Sequence, residues 1–283
     1  MNHPVASLLA ALAVLQAPPV FRAGVDLVRV EVLVTRDGSP VRGLSAADFV
    51  VRDDGRRQAL EPVLEEETPV DAVLVLDMSF SMAGLKLVAL REAAGAFLDG
   101  LRDGERAALL TFHREVALLE PLTADFGRVR RALASTEARG DTALVDAVYA
   151  ALRFVDPGPR RTAVVVFSDG MDNLSWLATG EVVEAARRTD AIVYGVAVRS
   201  KGEGQPTFLR DAASATGGRL FEVAGADELR PRFMDVLDDI RARYVLSYAP
   251  FGADAPGWHS LDVRLDGRKG DVLARPGYWR AAP

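Results

Sequence analysis

Hydrophobic and polar residues alternate near the start of the chain, as they do in a half-buried β-strand. Along residues 28–34 the valines fall on every second position, with Arg29 and Glu31 between them. A period of two turns one face of the segment toward a core and the other toward solvent. Further along, Asp53-Asp54-Gly55 separates two short apolar runs and indicates a hairpin turn. Residues 24–67 are therefore predicted to form a small β segment.

After residue 67 the pattern changes to continuous apolar runs that alternate with helical stretches. The runs are predicted as strands at 71–76, 107–112, 162–167, 191–198 and 219–223, with an antiparallel edge strand at 116–119. Helices are predicted at 85–101, 126–135, 143–154, 180–188, 208–216 and 227–243. Such alternation is typical of a parallel sheet that is covered on both faces. Residues 68–243 are therefore predicted as an α/β domain with a doubly wound, mostly parallel sheet.

The β pattern returns at the end of the chain. Residues 244–248 and 260–265 read as strands, and residues 272–275 form a third short run. So few strands cannot bury a core by themselves, and neither can the segment at the other end. We therefore expect residues 244–283 to pack with residues 24–67 as one small antiparallel β module, into which the α/β domain is inserted.

The composition limits the chemistry that this protein can perform. The 283 residues include no cysteine and only three histidines, which lie far apart in the sequence. This excludes disulfides, thiol catalysis and cysteine-ligated metals, and it argues against a site with several histidines. Any metal is therefore expected to be a hard cation bound by oxygen. The formal net charge of −6, without a marked cluster of basic residues, argues against nucleic-acid binding.

The first residues resemble a secretory signal peptide. Residues 5–15 are apolar except for Ser7, are too few to cross a bilayer, and precede small residues at which cleavage could occur. We therefore expect residues 1–23 to be removed and the mature protein to act outside the cytoplasm, periplasmic or secreted, without a membrane span. Two alternatives stay open: an ordinary buried N-terminal helix, and an uncleaved segment that holds the protein at the membrane.

Oxygen-bearing side chains follow two of the predicted central strands. Asp77, Ser79 and Ser81 come directly after the first strand of the α/β domain, where an extended chain projects all three to one side. Asp169 follows the third strand, and Thr142 lies where a helix opens between them. Two carboxylates and three hydroxyls suit Mg²⁺ or Mn²⁺. Because ligands of doubly wound sheets bind at the carboxyl ends of the strands, we expect these residues to form one metal site.

These residues also resemble a known family. The pattern Asp77-x-Ser79-x-Ser81, followed by Thr142 and Asp169, is similar to the metal-ion-dependent adhesion site (MIDAS) of von Willebrand factor type A (VWA) domains. The resemblance implies that the three hydroxyls contact the metal directly or in alternation. It also implies that the two carboxylates act directly or through water.

The resemblance implies a function as well as a fold. It covers about residues 69–243, and the segments on either side are similar to those of bacterial VWFA-related proteins. It implies a Rossmann-like VWA domain that performs no catalysis. Such a domain is a divalent-cation-dependent module for adhesion or protein binding, in which an Asp or Glu of the partner completes the coordination of Mg²⁺ or Mn²⁺.

Three further residues are candidates for the rim of this site. Phe80 lies between the two serines, and Asp172 follows the turn that begins at Asp169. Asp141 precedes Thr142 at a position where the family often has a small or neutral residue. An additional carboxylate there could tighten cation binding or weaken the binding of an acidic ligand.

Other interpretations of the same residues stay open. The protein could be a Mg²⁺-dependent phosphohydrolase with Asp77 as nucleophile, although that chemistry also needs an acid/base group and a cation for the phosphate. Lys86 is the only lysine near Asp77. The protein could instead be a structural component of an envelope assembly with a vestigial metal site. In the simplest case, Asp77 and Asp169 are turn residues and the serines are helix caps.

Overall fold

The alternating valines form a strand, as their spacing predicts. The computed structural model describes residues 27–62, 68–154, 160–169, 172–198, 206–252 and 255–281, so the predicted signal peptide lies outside the described residues. The N-terminal strands are β1 (Val28–Arg36), β2 (Ser39–Pro40), β3 (Phe49–Asp53) and β4 (Arg56–Arg57). Val30, Val32 and Val34 of β1 are fully buried. The hairpin predicted at residues 53–55 joins β3 to β4.

The continuous apolar runs form a six-stranded central sheet. Its strands are β5 (Val70–Asp77), β6 (Arg106–Phe112), β7 (Val116–Thr123), β8 (Arg161–Ser168), β9 (Ile192–Val198) and β10 (Arg219–Val223). They are arranged in the order β10-β9-β8-β5-β6-β7, and all neighbours are parallel except β7, which returns antiparallel to β6. Every residue of β5 and β8 is buried, as strands covered on both faces require. The predicted doubly wound, mostly parallel sheet is confirmed.

Helices cover both faces of this sheet. They are α1 (Leu85–Gly100), α2 (Phe126–Ala134), α3 (Leu144–Ala151), α4 (Thr179–Arg187), α5 (Thr207–Thr216) and α6 (Leu229–Arg241). Apolar side chains of α1, α2 and α6 fill the core on one face, and those of α3, α4 and α5 fill the core on the other. Among the described residues, no helix has the length and apolar character needed to cross a membrane.

Strands from the two ends of the chain pair with each other. The C-terminal strands are β11 (Tyr244–Tyr248), β12 (Gly257–Leu265), β13 (Asp271–Leu273) and β14 (Gly277–Arg280). β1 pairs with β11 and β13, while β12 pairs with β3 and β14, and all of these pairs are antiparallel. The resulting sheets share a separate hydrophobic core. The expected insertion of the α/β domain into an antiparallel module built from both ends is therefore confirmed.

Arginine side chains attach this β module to the α/β domain. Arg161 of β8 is buried and donates hydrogen bonds to a carboxylate oxygen of Glu31 and to the carbonyl oxygen of Ile240, both at 2.7 Å. Arg219 of β10 donates to the carbonyl oxygen of Gly38 at 3.0 Å. These bonds link β1 and the β1–β2 turn to two strands and a helix of the central domain.

The order of the central strands defines where a ligand can bind. The chain passes from β5 to β6 on one side and later returns to β8 on the other side of β5. Crevices at such a switch point, outside the carboxyl ends of the strands, are the usual ligand sites of doubly wound sheets. Asp77 ends β5 and Asp169 directly follows β8. The fold therefore brings both carboxylates of the predicted metal site to one edge.

Candidate functional site

Asp77 is a fully buried carboxylate at the centre of the candidate site. Its Oδ1 accepts a hydrogen bond from the backbone N–H of Ser79 at 2.8 Å, and its Oδ2 accepts one from the hydroxyl of Ser168 at 2.7 Å. Burial raises the pKa of Asp77 above its ordinary value, the bonds from Ser79 and Ser168 oppose this rise, and the negative charge of Asp169 adds to it. A positive ion beside the carboxylate would stabilise its ionised form against burial and the charge of Asp169.

The hydroxyl groups of Ser79 and Ser81 face each other beyond the end of β5. Their oxygens are 2.9 Å apart. Ser79 immediately precedes a 3₁₀ turn, Phe80–Met82, but its side chain makes no capping hydrogen bond to that turn. The helix-cap interpretation is therefore wrong for Ser79, and its hydroxyl faces the other oxygens of the site instead.

Asp169 reaches the same edge from β8 and is almost completely buried. Its Oδ1 accepts a hydrogen bond from the hydroxyl of Ser81 at 2.6 Å, so Ser81 joins the two strand ends. Its Oδ2 accepts a hydrogen bond from the ammonium group of Lys86, in the first turn of α1. The sequence identifies Lys86 only as a lysine near Asp77, and its contact with Asp169 depends on how α1 is placed.

Thr142 lies in the loop before α3, and hydrogen bonds attach this loop to both strand ends. The carbonyl oxygen of Gly140 accepts a bond from the N–H of Phe80 at 3.0 Å. The N–H of Thr142 donates to the side-chain oxygen of Asn173 at 2.9 Å, and the carbonyl oxygen of Thr142 accepts from the N–H of Asn173 at 3.1 Å. The three segments predicted to form the site therefore converge, and Asn173 joins the loop before α3 to the segment that follows β8.

The three predicted rim residues differ in their surroundings. Phe80 is 73% exposed, as a rim position requires. Asp141 is exposed and lies 3.3 Å from the guanidinium of Arg114, which offsets part of its charge. Asp172 instead turns toward α3, where its Oδ1 accepts a hydrogen bond from the N–H of Val145 at 3.2 Å. The unpaired N–H groups of a helix N-terminus attract carboxylates, so this oxygen of Asp172 caps α3.

Two exposed apolar side chains, which the sequence does not indicate, lie on segments that follow residues of the site. Leu85, the first residue of α1, is 84% exposed, and Trp176, in the loop after Asp169, is 95% exposed. The N–H of Trp176 donates to Asp146 at 3.0 Å, so the backbone of the loop is held in place while the indole projects into solvent. Each of these two side chains therefore offers apolar surface to solvent.

The donor set fits a divalent cation that prefers oxygen. Asp77, Ser79, Thr142 and Asp169 are buried, Ser81 is exposed, and all five offer oxygen. Mg²⁺ and Mn²⁺ take such ligands and Mg²⁺ usually keeps several waters, which an exposed side of the site allows. Among the residues that the structure describes, Lys86 pairs with Asp169 but no cationic side chain pairs with Asp77. An additional cation would balance that second buried charge.

Comparison with known protein families finds a match in the central region. Residues 72–171 match the family model described as the von Willebrand factor type A domain. The matched range begins in β5 and contains Asp77, Ser79, Ser81, Thr142 and Asp169. A comparison with curated proteins finds no match to this chain.

Solved structures share the fold at low sequence identity. A von Willebrand factor type A protein from Catenulispora acidiphila has a TM-score of 0.57 at 14% identity, over 87% of this chain and 76% of that one. Proximal thread matrix protein 1 from the mussel byssus, with a zinc-occupied MIDAS motif, has a TM-score of 0.54 at 17% identity, over 63% of this chain and 47% of that one. The PilB minor pilin from Streptococcus sanguinis has a TM-score of 0.51 at 11% identity, over 63% of each chain.

Proposed function

We propose that this protein, which contains a von Willebrand factor type A domain, binds another protein through a divalent cation at its MIDAS-type site. We define the MIDAS-type site as Asp77, Ser79, Ser81, Thr142 and Asp169. These residues would hold Mg²⁺ or Mn²⁺, and an aspartate or glutamate of the partner would complete the coordination. The proposed role is adhesion or binding rather than catalysis.

The convergence of three segments that carry oxygen-bearing side chains supports this proposal. The end of β5, the loop before α3 and the end of β8 are joined by hydrogen bonds at one edge of the sheet. Local turn chemistry does not account for the arrangement, because the Ser79 hydroxyl caps no helix and instead meets the Ser81 hydroxyl. The MIDAS motif that holds zinc in the mussel thread protein of the same fold supports this interpretation.

The protein's own groups would prepare the site for an acidic partner. The backbone N–H of Ser79 and the Ser168 hydroxyl hold Asp77 in one orientation, and the other hydroxyls add oxygen ligands without charge. Lys86 neutralises part of Asp169. When bound, the cation supplies a local positive charge that attracts a carboxylate. The formal net charge of −6 gives the molecule as a whole no such attraction.

The apolar surface next to the site would supply the remaining contact area. Phe80, Leu85 and Trp176 are largely exposed on segments that carry or adjoin the MIDAS-type site. Protein interfaces combine aromatic and apolar contacts at their centre with polar groups at the rim. A metal-bound carboxylate surrounded by such contacts would combine electrostatic specificity with apolar burial.

The geometry disfavours the phosphohydrolase alternative. A nucleophilic carboxylate must reach the phosphorus atom, but Asp77 is fully buried and both of its oxygens accept hydrogen bonds. Among the described residues, the ammonium group near Asp77 is that of Lys86, which is bonded to Asp169. A structural role without metal remains distinguishable by experiment, because it requires equal thermal stability with and without Mg²⁺.

We also propose that the protein acts outside the cytoplasm. Support comes from residues 1–23, whose apolar run and following small residues resemble a signal peptide. N-terminal sequencing of the protein isolated from its native envelope or medium tests this. A mature chain that begins near residue 24 supports export, whereas an intact N-terminus in a membrane fraction supports the alternative of an uncleaved anchor.

Metal titration and partner capture together test the proposed function. Calorimetric titration of the full chain with Mg²⁺ should show binding that Ser79→Ala and Asp169→Ala each weaken at least tenfold. The immobilised full chain should then retain a protein from the native envelope fraction in Mg²⁺ and release it in EDTA. The Ser79→Ala and Asp169→Ala proteins should retain much less of it.

The matched control for these variants is Ser135→Ala. Ser135 caps the end of α2, and its hydroxyl bonds only to the nearby carbonyl oxygen of Ala132 among the described residues. This change should alter neither metal binding nor partner capture. The proposal is wrong if Mg²⁺ does not bind, or if a captured partner is retained equally in EDTA and by both site variants.

A further inference from the structure

A second group of ionisable side chains lies in the β module, outside the α/β domain that carries the MIDAS-type site. Asp53 ends β3, Asp54 follows it in the hairpin turn, and His259 lies on β12. One ligand atom from each of the three lies within 4.8 Å of the other two. Within the ranges that the structure describes, no other group of three His, Asp or Glu residues meets this criterion. We call these residues the β-module cluster.

Asp53 directs an unsatisfied oxygen into this cluster. Its side chain is fully buried, and its Oδ2 accepts hydrogen bonds from the hydroxyls of Tyr248 at 2.8 Å and Tyr278 at 2.9 Å. Burial and the charge of Asp53 raise the pKa of both tyrosines, so both remain donors. The Oδ1 of Asp53 accepts no hydrogen bond within the described part of the chain and lies 3.7 Å from Nδ1 of His259. A buried oxygen without a partner is costly and calls for a positive ligand.

Asp54 is held so that one oxygen faces the histidine. Its Oδ1 accepts hydrogen bonds from the N–H of Ser260 at 2.9 Å and from the Ser260 hydroxyl at 3.1 Å. Its Oδ2 lies 2.9 Å from Nδ1 of His259. The Asp54 side chain is 43% exposed, so this side of the cluster is open to water.

His259 has an oxygen acceptor beside each ring nitrogen. Nε2 lies 2.7 Å from the carbonyl oxygen of Ala255, and the ring stacks on Tyr278 with centroids 5.1 Å apart. A carbonyl oxygen only accepts, so Nε2 carries a hydrogen. In a neutral ring the lone pair of Nδ1 then faces the carboxylate oxygens of Asp53 and Asp54. A positive ion among these three atoms removes the repulsion.

We propose that the β-module cluster is a second cation site, which takes a divalent transition metal of the Zn²⁺ class. One imidazole nitrogen and two carboxylate oxygens are ligands that Zn²⁺ accepts, with water in a fourth position. Neighbouring ligand atoms of a tetrahedral zinc site are about 3.3 Å apart. The measured separations from Nδ1 of His259, 2.9 Å to Asp54 and 3.7 Å to Asp53, lie on either side of that value.

Groups outside the cluster orient each of its ligands. Two tyrosine hydroxyls hold Asp53, Ser260 holds Asp54, and the Ala255 carbonyl fixes the hydrogen of His259 on Nε2. Such partners of metal ligands fix the orientation and basicity of the ligands, and their loss weakens metal affinity by about 10- to 100-fold. Because Asp53 and Asp54 come from the N-terminal strands and His259 from a C-terminal strand, a bound metal would stabilise the pairing of the two chain ends.

Titration with Zn²⁺ tests this proposal on the full chain. The background carries Ser79→Ala and Asp169→Asn, so that the MIDAS-type site does not contribute. We expect one Zn²⁺ per chain by calorimetry and a rise of several degrees in the Tm. Asp54→Asn should lower the affinity for Zn²⁺ at least tenfold. The variant should still fold, because asparagine tolerates the positive φ of this turn position. Tyr278→Phe should lower the affinity for Zn²⁺ by about tenfold, because it removes a hydrogen bond that orients Asp53.

The control for these variants is Asp262→Asn. Asp262 lies on β12 like His259, but its carboxylate pairs with Arg264 at 2.9 Å outside the cluster. This variant should bind Zn²⁺ as the background protein does. Long-range ¹H–¹⁵N spectra of the histidines add a direct readout, because Zn²⁺ should shift Nδ1 of His259 while Nε2 keeps its hydrogen.

Two outcomes would overturn the proposal. One is a background protein that binds no Zn²⁺ at millimolar concentration and shows no change in its Tm, with Nδ1 of His259 protonated throughout. The cluster would then hold a proton rather than a metal. The other is that Asp54→Asn and His259→Gln both bind Zn²⁺ as strongly as the background protein does. Should His259→Gln fail to fold, Asp54→Asn and the spectra decide the question.

Discussion

The MIDAS-type site and the β-module cluster bring charged groups together in opposite ways. In the MIDAS-type site, Asp77, Ser79 and Ser81 are nearly adjacent in sequence and all ligand candidates are oxygens at the edge of a parallel sheet. In the β-module cluster, Asp54 and His259 are 205 positions apart and meet because β3 pairs with β12. One arrangement follows from where parallel strands end, and the other from how two antiparallel strands are aligned.

This difference in construction implies a difference in use. In the MIDAS-type site, Ser81 is an exposed residue and Phe80 and Leu85 are exposed apolar residues on the adjoining segment, so a large partner can reach it. The β-module cluster is buried except on the side of Asp54. Oxygen-only ligands favour Mg²⁺ or Mn²⁺, whereas an imidazole favours Zn²⁺. We therefore expect the first site to serve recognition and the second to serve stability, with separate metal preferences.

Asp77→Asn should produce the largest separation between the two sites. Asparagine can still accept from the N–H of Ser79 and contact Ser168, so the strand end should remain folded. The lost charge should lower Mg²⁺ affinity by about 100-fold or more, because hydrogen-bonded carboxylates are the principal ligands of Mg²⁺ in proteins. The Zn²⁺ affinity of the β-module cluster should not change. Calorimetric titrations with each metal measure both values.

The control is Asp99→Asn, which removes an exposed carboxylate that pairs with Arg130 near the end of α1. It should leave both titrations unchanged. Undiminished Mg²⁺ binding in Asp77→Asn would show that the Asp77 carboxylate does not contribute to metal binding. A parallel loss of Zn²⁺ binding would mean that the two sites are coupled, and the comparison above would fail.

The two sites also differ in how far the sequence predicts them. Continuous apolar runs predicted central strands such as β5 and β8, because strands covered on both faces need apolar residues throughout. The edge strand β7, predicted at 116–119, extends to Thr123 and is only partly buried. Asp77 and Asp169 could be placed together because each directly follows such a strand. The orientations of Lys86 and Asp172 could not be predicted, since they depend on the placement of α1 and α3 relative to the strand ends.

The β-module cluster could not be predicted for a related reason. In the sequence, Asp53-Asp54-Gly55 indicates only a turn, and His259 is an isolated histidine near Trp258. The alignment that places Leu261 opposite Asp53 brings them together. Shifting one strand by a single residue would reverse the faces and separate the groups, and an alternating pattern does not by itself specify the partner strand.

A second prediction concerns Asp239, a buried residue of α6 near the contact between the two regions. Arg219 donates to Asp239 at 3.4 Å and also to the carbonyl oxygen of Gly38 in the β module. Burial raises the pKa of Asp239 to about 6 although Arg219 and Arg243 oppose the rise. A carboxyl group whose pKa is higher in the folded state stabilises the fold at low pH, and this contribution is lost as the pH rises through about 6.

Asp239→Asn should therefore raise the free energy of unfolding at pH 7.5 by about 2 kcal/mol, and by much less at pH 4. Urea unfolding at the two pH values measures this. Asp238→Asn, at an exposed residue that pairs with Arg42, should show no such pH-dependent gain. If Asp239→Asn raised the free energy of unfolding equally at both pH values, the raised pKa of Asp239 could not be the cause. Changed affinity at either cation site would show that this contact transmits an effect between the two regions.

The smallest expected effect is that of Lys86→Met, which tests whether a built-in cation competes with the metal. Lys86 is partly exposed and pairs with Asp169, and such pairs contribute about 1 kcal/mol or less. Removing the ammonium group should free Asp169 and raise Mg²⁺ affinity by about three- to fivefold. Zn²⁺ binding at the β-module cluster should stay the same, as should both affinities in the control Lys269→Met. Weaker Mg²⁺ binding in Lys86→Met would instead mean that Lys86 positions Asp169 for the cation, and the MIDAS-type site would then depend on α1 as well as on its strand ends.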